Sequence, residues 1–118
     1  MNAQTVTSDT IILVNSNGMG KAAPELRQKL LLTYLTLLDE NNQLPNAICF
    51  YTEGVHLVAE GSPALNVLGS LESKGVRLIV CSTCLNYFNL MDRIKAGIPG
   101  GMADIVEAQF KAKKVITL

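Results

Sequence analysis

Charge is scarce in this chain. Ten Lys and Arg residues balance ten Asp and Glu residues, and together they make up 17% of the 118 positions, against roughly 25% in an ordinary soluble domain. No basic stripe with interleaved aromatics forms, so no nucleic-acid partner is expected. With three cysteines, an odd number, the chain does not read as a secreted disulfide framework. In a reducing compartment a CxxC spacing points instead to metal or redox chemistry. Long apolar runs are missing as well. Nothing approaches the roughly 18 residues of a membrane span, and the opening MNAQTVTSDT has neither the basic region nor the apolar core of a signal peptide. A soluble cytoplasmic protein without a membrane partner is expected.

Apolar residues, by contrast, reach 48%. At the length of one domain, so few charges leave apolar surface that is expected to be covered by other subunits. The apolar residues fall into short β-branched runs separated by helical patterns. Thr10 to Val14 (TIILV), Ala47 to Tyr51 (AICFY), Val76 to Val80 (VRLIV) and Val115 to Leu118 read as strands. Helical spacing runs from Pro24 to the Asn41-Asn42 stop, and from a Ser62-Pro63 start through Leu65, Leu68 and Leu71 to Gly75. A short helical stretch follows Cys81 through Tyr87, and a last helix covers roughly Met102 to Lys111. Val55 to Glu60 reads as a short amphipathic segment and Gly97 to Gly101 as irregular.

Strands alternating with helices imply an α/β fold, a three-layer α/β/α sandwich with a mainly parallel sheet of four to five strands. Residues 1–9 form a polar tail and residues 10–118 a single domain. Sites in such sheets lie beyond the carboxyl ends of the strands. That edge gathers Asn15 to Gly20, Tyr51 to Gly54 and Cys81 to Cys84.

Cys81 follows a buried strand directly, and the amides of the turn after it favour a thiolate. Cys84 lies one helical turn on, close enough to exchange a sulfur or close a disulfide. Structural zinc asks for four ligands and there is no second cysteine pair, so no metal and no cofactor is expected. Asn15, Ser16, Gly18, Met19 and Gly20, between the first strand and a helix, lack the spacing of a phosphate-binding loop and are read as an anion or substrate contact. Glu53, Thr83 and Asn86 join them as candidate substrate contacts. Cys49 alternates with Ile48 and Phe50 and is read as core.

The segments LVNSNGMG, FYTEGVHLVAEGS, SLESKGVRLIVCSTCLNYF and KVITL together resemble the DsrE/DsrF-like family, most closely the DsrE-like C-terminal domain of the YedF selenium-metabolism proteins. The resemblance implies a homotrimer or homohexamer, sulfur donor and acceptor proteins as partners, and a persulfide on a cysteine after a central strand. By position that cysteine is Cys81, with Cys84 an extra thiol. The expected function is therefore a sulfurtransferase-like carrier of sulfane sulfur, tied to sulfur or selenium metabolism. A dithiol/disulfide redox protein using Cys81 and Cys84, and a noncatalytic small-ligand or assembly module, are the rival readings.

Overall fold

The order in which the strands lie side by side decides which loops meet. In the computed structural model, which describes residues 8–118, the chain runs β1 (Thr10–Val14), α1 (Pro24–Glu40), β2 (Ala47–Phe50), a 3-10 helix (Thr52–Val58), α2 (Leu65–Ser73), β3 (Arg77–Cys81) and α3 (Ser82–Tyr87). A 3-10 turn (Met91–Arg93), β4 (Ile98–Gly100), α4 (Met102–Lys111) and β5 (Lys114–Thr117) follow. The five strands form one sheet in the order β4-β3-β2-β1-β5, and every neighbouring pair is parallel. From β1 to β4 each connection steps the same way across the sheet, so right-handed crossovers place α1 and α2 on one face. The return from β4 to β5 puts α4 on the other. The result is the α/β fold with helices on both faces of a parallel sheet.

Local chemistry accounts for these elements. The β-branched run of β1 is buried from Ile11 to Val14 and β2 is buried throughout, as strands covered on both faces must be. The register puts Ile12, Ile48 and Leu78 on one face and Leu13, Cys49 and Ile79 on the other. Pro24 opens α1, where its missing amide costs nothing. Leu31 and Leu35 turn inward from α1, and Leu68 and Leu71 from α2. Phe50 is fully enclosed, a burial that contributes about 1.5–3 kcal/mol. Lys74 closes α2 onto α1 through a 2.9 Å ion pair with Asp39, which also accepts a hydrogen bond from Ser70. The lysine partner holds the Asp39 carboxyl below its ordinary value.

Three expectations change. Gly97 to Gly101 is not wholly irregular, because Ile98–Gly100 forms the edge strand β4, with Ile98 beside Ile79 and Gly100 beside Cys81. Pro99 has no amide to donate, which suits an edge position, and the pairing with β3 overrides a composition that reads as loop. Second, α2 begins at Leu65 rather than at Pro63, since the Ser62 hydroxyl accepts the Ala64 amide at 3.0 Å and shapes a turn ahead of the helix. Third, the segment read as Val55 to Glu60 is a 3-10 helix that starts earlier, at Thr52. Of the polar tail, residues 1–7 lie outside the described residues. At the end of α2 the left-handed Gly75 (φ 101°) behaves as the sequence implies, with Val76 donating back to the Leu71 carbonyl at 3.1 Å.

Candidate functional site

Cys81 is the last residue of β3, and Cys84 lies in the first turn of α3. Both are free thiols, as is Cys49. Cys81 is only 1% exposed, whereas Cys84 is partly open to solvent. The Cys81 side chain makes no hydrogen bond to the amides of α3, so the donor expected for it from the helix start is not in place. The amide directed at a sulfur comes from elsewhere: Thr52, 32 positions earlier in the chain, donates its N–H to Cys84 Sγ at 3.0 Å.

These contacts pull the Cys84 thiol in opposite directions. Burial pushes its pKa up, and so does the neighbouring Cys81 side chain; the Thr52 amide pulls it down. The upward influences prevail. Burial and a neighbouring thiol both disfavour a thiolate at Cys84, while the facing N–H favours it.

The position of the Thr52 amide follows from how β2 ends. Tyr51 donates to the Val14 carbonyl at 3.1 Å, which ties the exit of β2 to the end of β1. Thr52 then takes a left-handed backbone conformation with φ 47°, unusual for a β-branched residue and costing about 1–3 kcal/mol. Its hydroxyl lies within hydrogen-bond reach of the Asn15 carbonyl and, at 2.7 Å, of the Tyr51 carbonyl. Two residues on, Gly54 packs so closely that an added Cβ would stand 2.9 Å from the Val14 carbonyl carbon and closer still to its oxygen. Glycine is the residue that permits this approach.

The other expected contacts divide. Asn15 reaches the thiols through Thr52. Ser16 donates to the Gly18 carbonyl at 3.1 Å, and Gly18 is packed so tightly that a Cβ would meet Arg27 Cβ at 2.6 Å. Met19 packs on the core. Asn15, Ser16 and Gly20 line a cleft of about 510 Å³ with Lys21, Ala22, Arg27 and Leu118, which places two cations beside the loop. Glu53, Thr83 and Asn86 are exposed, and their side chains take part in none of the hydrogen bonds around the sulfurs. A larger cleft, about 810 Å³, lies at the opposite, amino-terminal end of the sheet against α4, lined by Arg77, Ile79 and Asp104 among others, and contains neither sulfur. Among the described residues no three His, Cys, Asp or Glu side chains gather as metal ligands.

Residues missed in the sequence complete the surroundings. Thr52 is the most direct, and its signal was available: it follows the strand that neighbours β3, so its amide had to emerge beside the thiols. Phe88, just after α3, meets His56 at a tilt of 55° with ring centroids 4.6 Å apart and meets the exposed Tyr87 edge-on at 5.1 Å. This aromatic group joins α3 to the 3-10 helix that carries Thr52.

The family profile described as DsrE/DsrF-like matches residues 10–118, which include all five strands. The chain belongs to the DsrE/DsrF-like family. Solved structures share the fold of this DsrE/DsrF-like domain at low identity. The ychN protein from E. coli matches with a TM-score of 0.73 and 16% identity, covering 95% of this chain and 100% of the other. MTH1491 from Methanobacterium thermoautotrophicum, a protein of unknown function, matches with a TM-score of 0.69 and 20% identity over 92% and 97% of the two chains. BT1422 from Bacteroides thetaiotaomicron, also of unknown function, gives 0.68 and 14% over 97% and 100%. No curated protein matches the chain.

Proposed function

We propose that this DsrE/DsrF-like chain is a sulfurtransferase-like sulfur carrier that takes up sulfane sulfur as a persulfide on the Cys81–Cys84 pair. The observation that carries the reading is the pair itself: two thiols at the carboxyl edge of the sheet, Cys81 at the end of β3 and Cys84 in the first turn of α3, the second partly exposed and facing an amide donor. Exposure also orders the events. Cys84 is the sulfur a donor reaches first, while Cys81, the carrier implied by its place after the central strand, stands behind it.

The chemistry balances without an added oxidant. The Cys84 thiolate attacks the outer sulfur of a donor persulfide, the donor leaves as a thiol, and Cys84 holds the sulfane sulfur. Cys81 then either takes the outer sulfur, restoring the Cys84 thiol, or attacks the inner sulfur, which releases hydrosulfide and closes a disulfide. Lys21 and Arg27 in the adjoining cleft suit a donor carrying negative charge.

Intact-mass measurement after treatment with a sulfane-sulfur donor tests the reading on wild type, Cys81→Ser and Cys84→Ser. Cys81→Ser gains one sulfur, wild type gains one sulfur or, where Cys81 expels hydrosulfide, loses two hydrogens, and Cys84→Ser loads slowly. Loading that depends on Cys81 alone would reverse the order. Failure of every form to gain sulfur, with ready loss of two hydrogens on oxidation, would favour the dithiol redox reading. The same measurement with a selenium donor tests the tie to selenium metabolism.

A further inference from the structure

We propose that Thr52 is a positioning residue: its hydroxyl, anchored on the carbonyls of Asn15 and Tyr51, holds the residue left-handed so that its amide meets the sulfur of Cys84. This deepens the reading of the thiol pair and rests on that site, but its test needs no sulfur donor. Three independent observations converge on the residue. It is one of three non-glycine residues with positive φ among those described, and the other two, Asn42 and Asn89, are asparagines, a type that tolerates this region far better than a β-branched side chain. Its hydroxyl reaches the Asn15 carbonyl, just past the end of β1. Its amide ends on the sulfur of Cys84, the more accessible cysteine of the pair.

The arrangement has a chemical purpose that a turn alone does not require. An N–H donor favours the anionic form of the sulfur it faces, and it would favour a persulfide anion at the same place. Without its anchor the residue relaxes to negative φ, and the amide turns away from Cys84. The strand end, the loop after β1 and the thiol are therefore linked through one side chain.

The experiment measures the alkylation rate of Cys84 by iodoacetamide as a function of pH, read by peptide mapping in the full chain. Thr52→Val keeps the shape but removes the hydroxyl. Thr52→Ala does the same without β-branching and carries the test if the valine variant does not fold. Thr52→Ser restores the hydroxyl. Removal of the hydroxyl lowers the rate near pH 8 by roughly threefold to tenfold, the loss in thiolate fraction expected for an upward shift of half a pKa unit to one unit, and rates converge with wild type at high pH. Thr52→Ser follows the wild-type profile. Superposition of the alanine or valine profile on wild type would overturn the proposal, as would a serine variant displaced as far as alanine. A shifted profile in a chain that never loads sulfur would leave Thr52 in its role and remove the carrier reading; the converse result would do the reverse.

Discussion

Replacing Gly54 with alanine tests the contact that brings the Thr52 segment against β1. The added methyl collides with the Val14 carbonyl, and that oxygen already accepts the Tyr51 amide. Both partners are backbone, so no side chain can swing aside. An ordinary carbon–carbon contact needs about 3.5–4.0 Å, while the built Cβ stands 2.9 Å from the carbonyl carbon, so the 3-10 helix must retreat by roughly 1 Å. Overpacking of this kind costs about 1–3 kcal/mol, and weakening of the Tyr51 hydrogen bond adds about 1 kcal/mol. The lower entropy of an unfolded alanine returns about 0.4–1 kcal/mol. The net loss is about 1–3.6 kcal/mol, which for a chain of this size lowers the midpoint of thermal unfolding by roughly 4–14 °C. Retreat also draws the Thr52 amide from Cys84, so alkylation of that thiol slows near neutral pH. Gly69→Ala is the internal control: the residue is exposed within α2 with no atom within 4 Å of an added Cβ, and it should gain about 0.5–1 kcal/mol. A Gly54→Ala protein at least as stable as wild type in a calorimetric scan would refute the close approach and the argument built on it.

Cys49 is fully buried, and burial pushes its thiol up to about 11. The folded chain thus keeps a proton that the unfolded chain releases near its ordinary value of 9.0; the associated stability is whole below pH 9 and is lost as pH rises toward 11. Denaturant titrations should lose about 2–3 kcal/mol across that window, with a shallower slope in Cys49→Ala, and native Cys49 should resist alkylating reagents while Cys84 reacts. An alkaline slope unchanged in Cys49→Ala would remove the assignment. The outer faces of α1 (Leu26, Leu30, Leu37) and α4 (Met102, Val106, Phe110) remain exposed in the single chain, so light scattering at tens of micromolar should find a homo-oligomer, a trimer or hexamer on the family resemblance. Leu30→Lys with Phe110→Lys should lower its mass, and a wild-type monomer would refute the expectation.

Much of the sheet was legible because buried parallel strands announce themselves as uninterrupted β-branched runs. TIILV and AICFY needed no tertiary knowledge. β4 was not legible: Ile98-Pro99-Gly100 has the composition of a loop, and only the neighbouring edge of β3 makes it a strand. At the thiols, spacing alone correctly put Cys81 at a strand end and Cys84 a turn later. Their accessibility did not follow from spacing, because it depends on what packs over β3 from segments distant in the chain. The strand it follows put Thr52 at this edge, but the aim of its amide at Cys84 was not legible. Glu53 drew attention by its charge, while its neighbour acts through its backbone, which no residue type advertises.

The pairing of β5 with β1 bears on how the molecule assembles. Thr10 lies beside Lys114 and Leu13 beside Thr117, so the flank of the earliest strand is closed by the latest. β1, β2 and β3 are joined by short helical crossovers, and a growing chain can bring them together while one side of β1 still offers unpaired amides and carbonyls. Such a side invites pairing with another chain until the last segment arrives, and contacts so distant along the chain form slowly. The strands that carry Thr52 and the two thiols lie on the other side of β1, within the part assembled from nearby segments. Errors in the final closure would therefore fall on solubility before they reached the sulfurs.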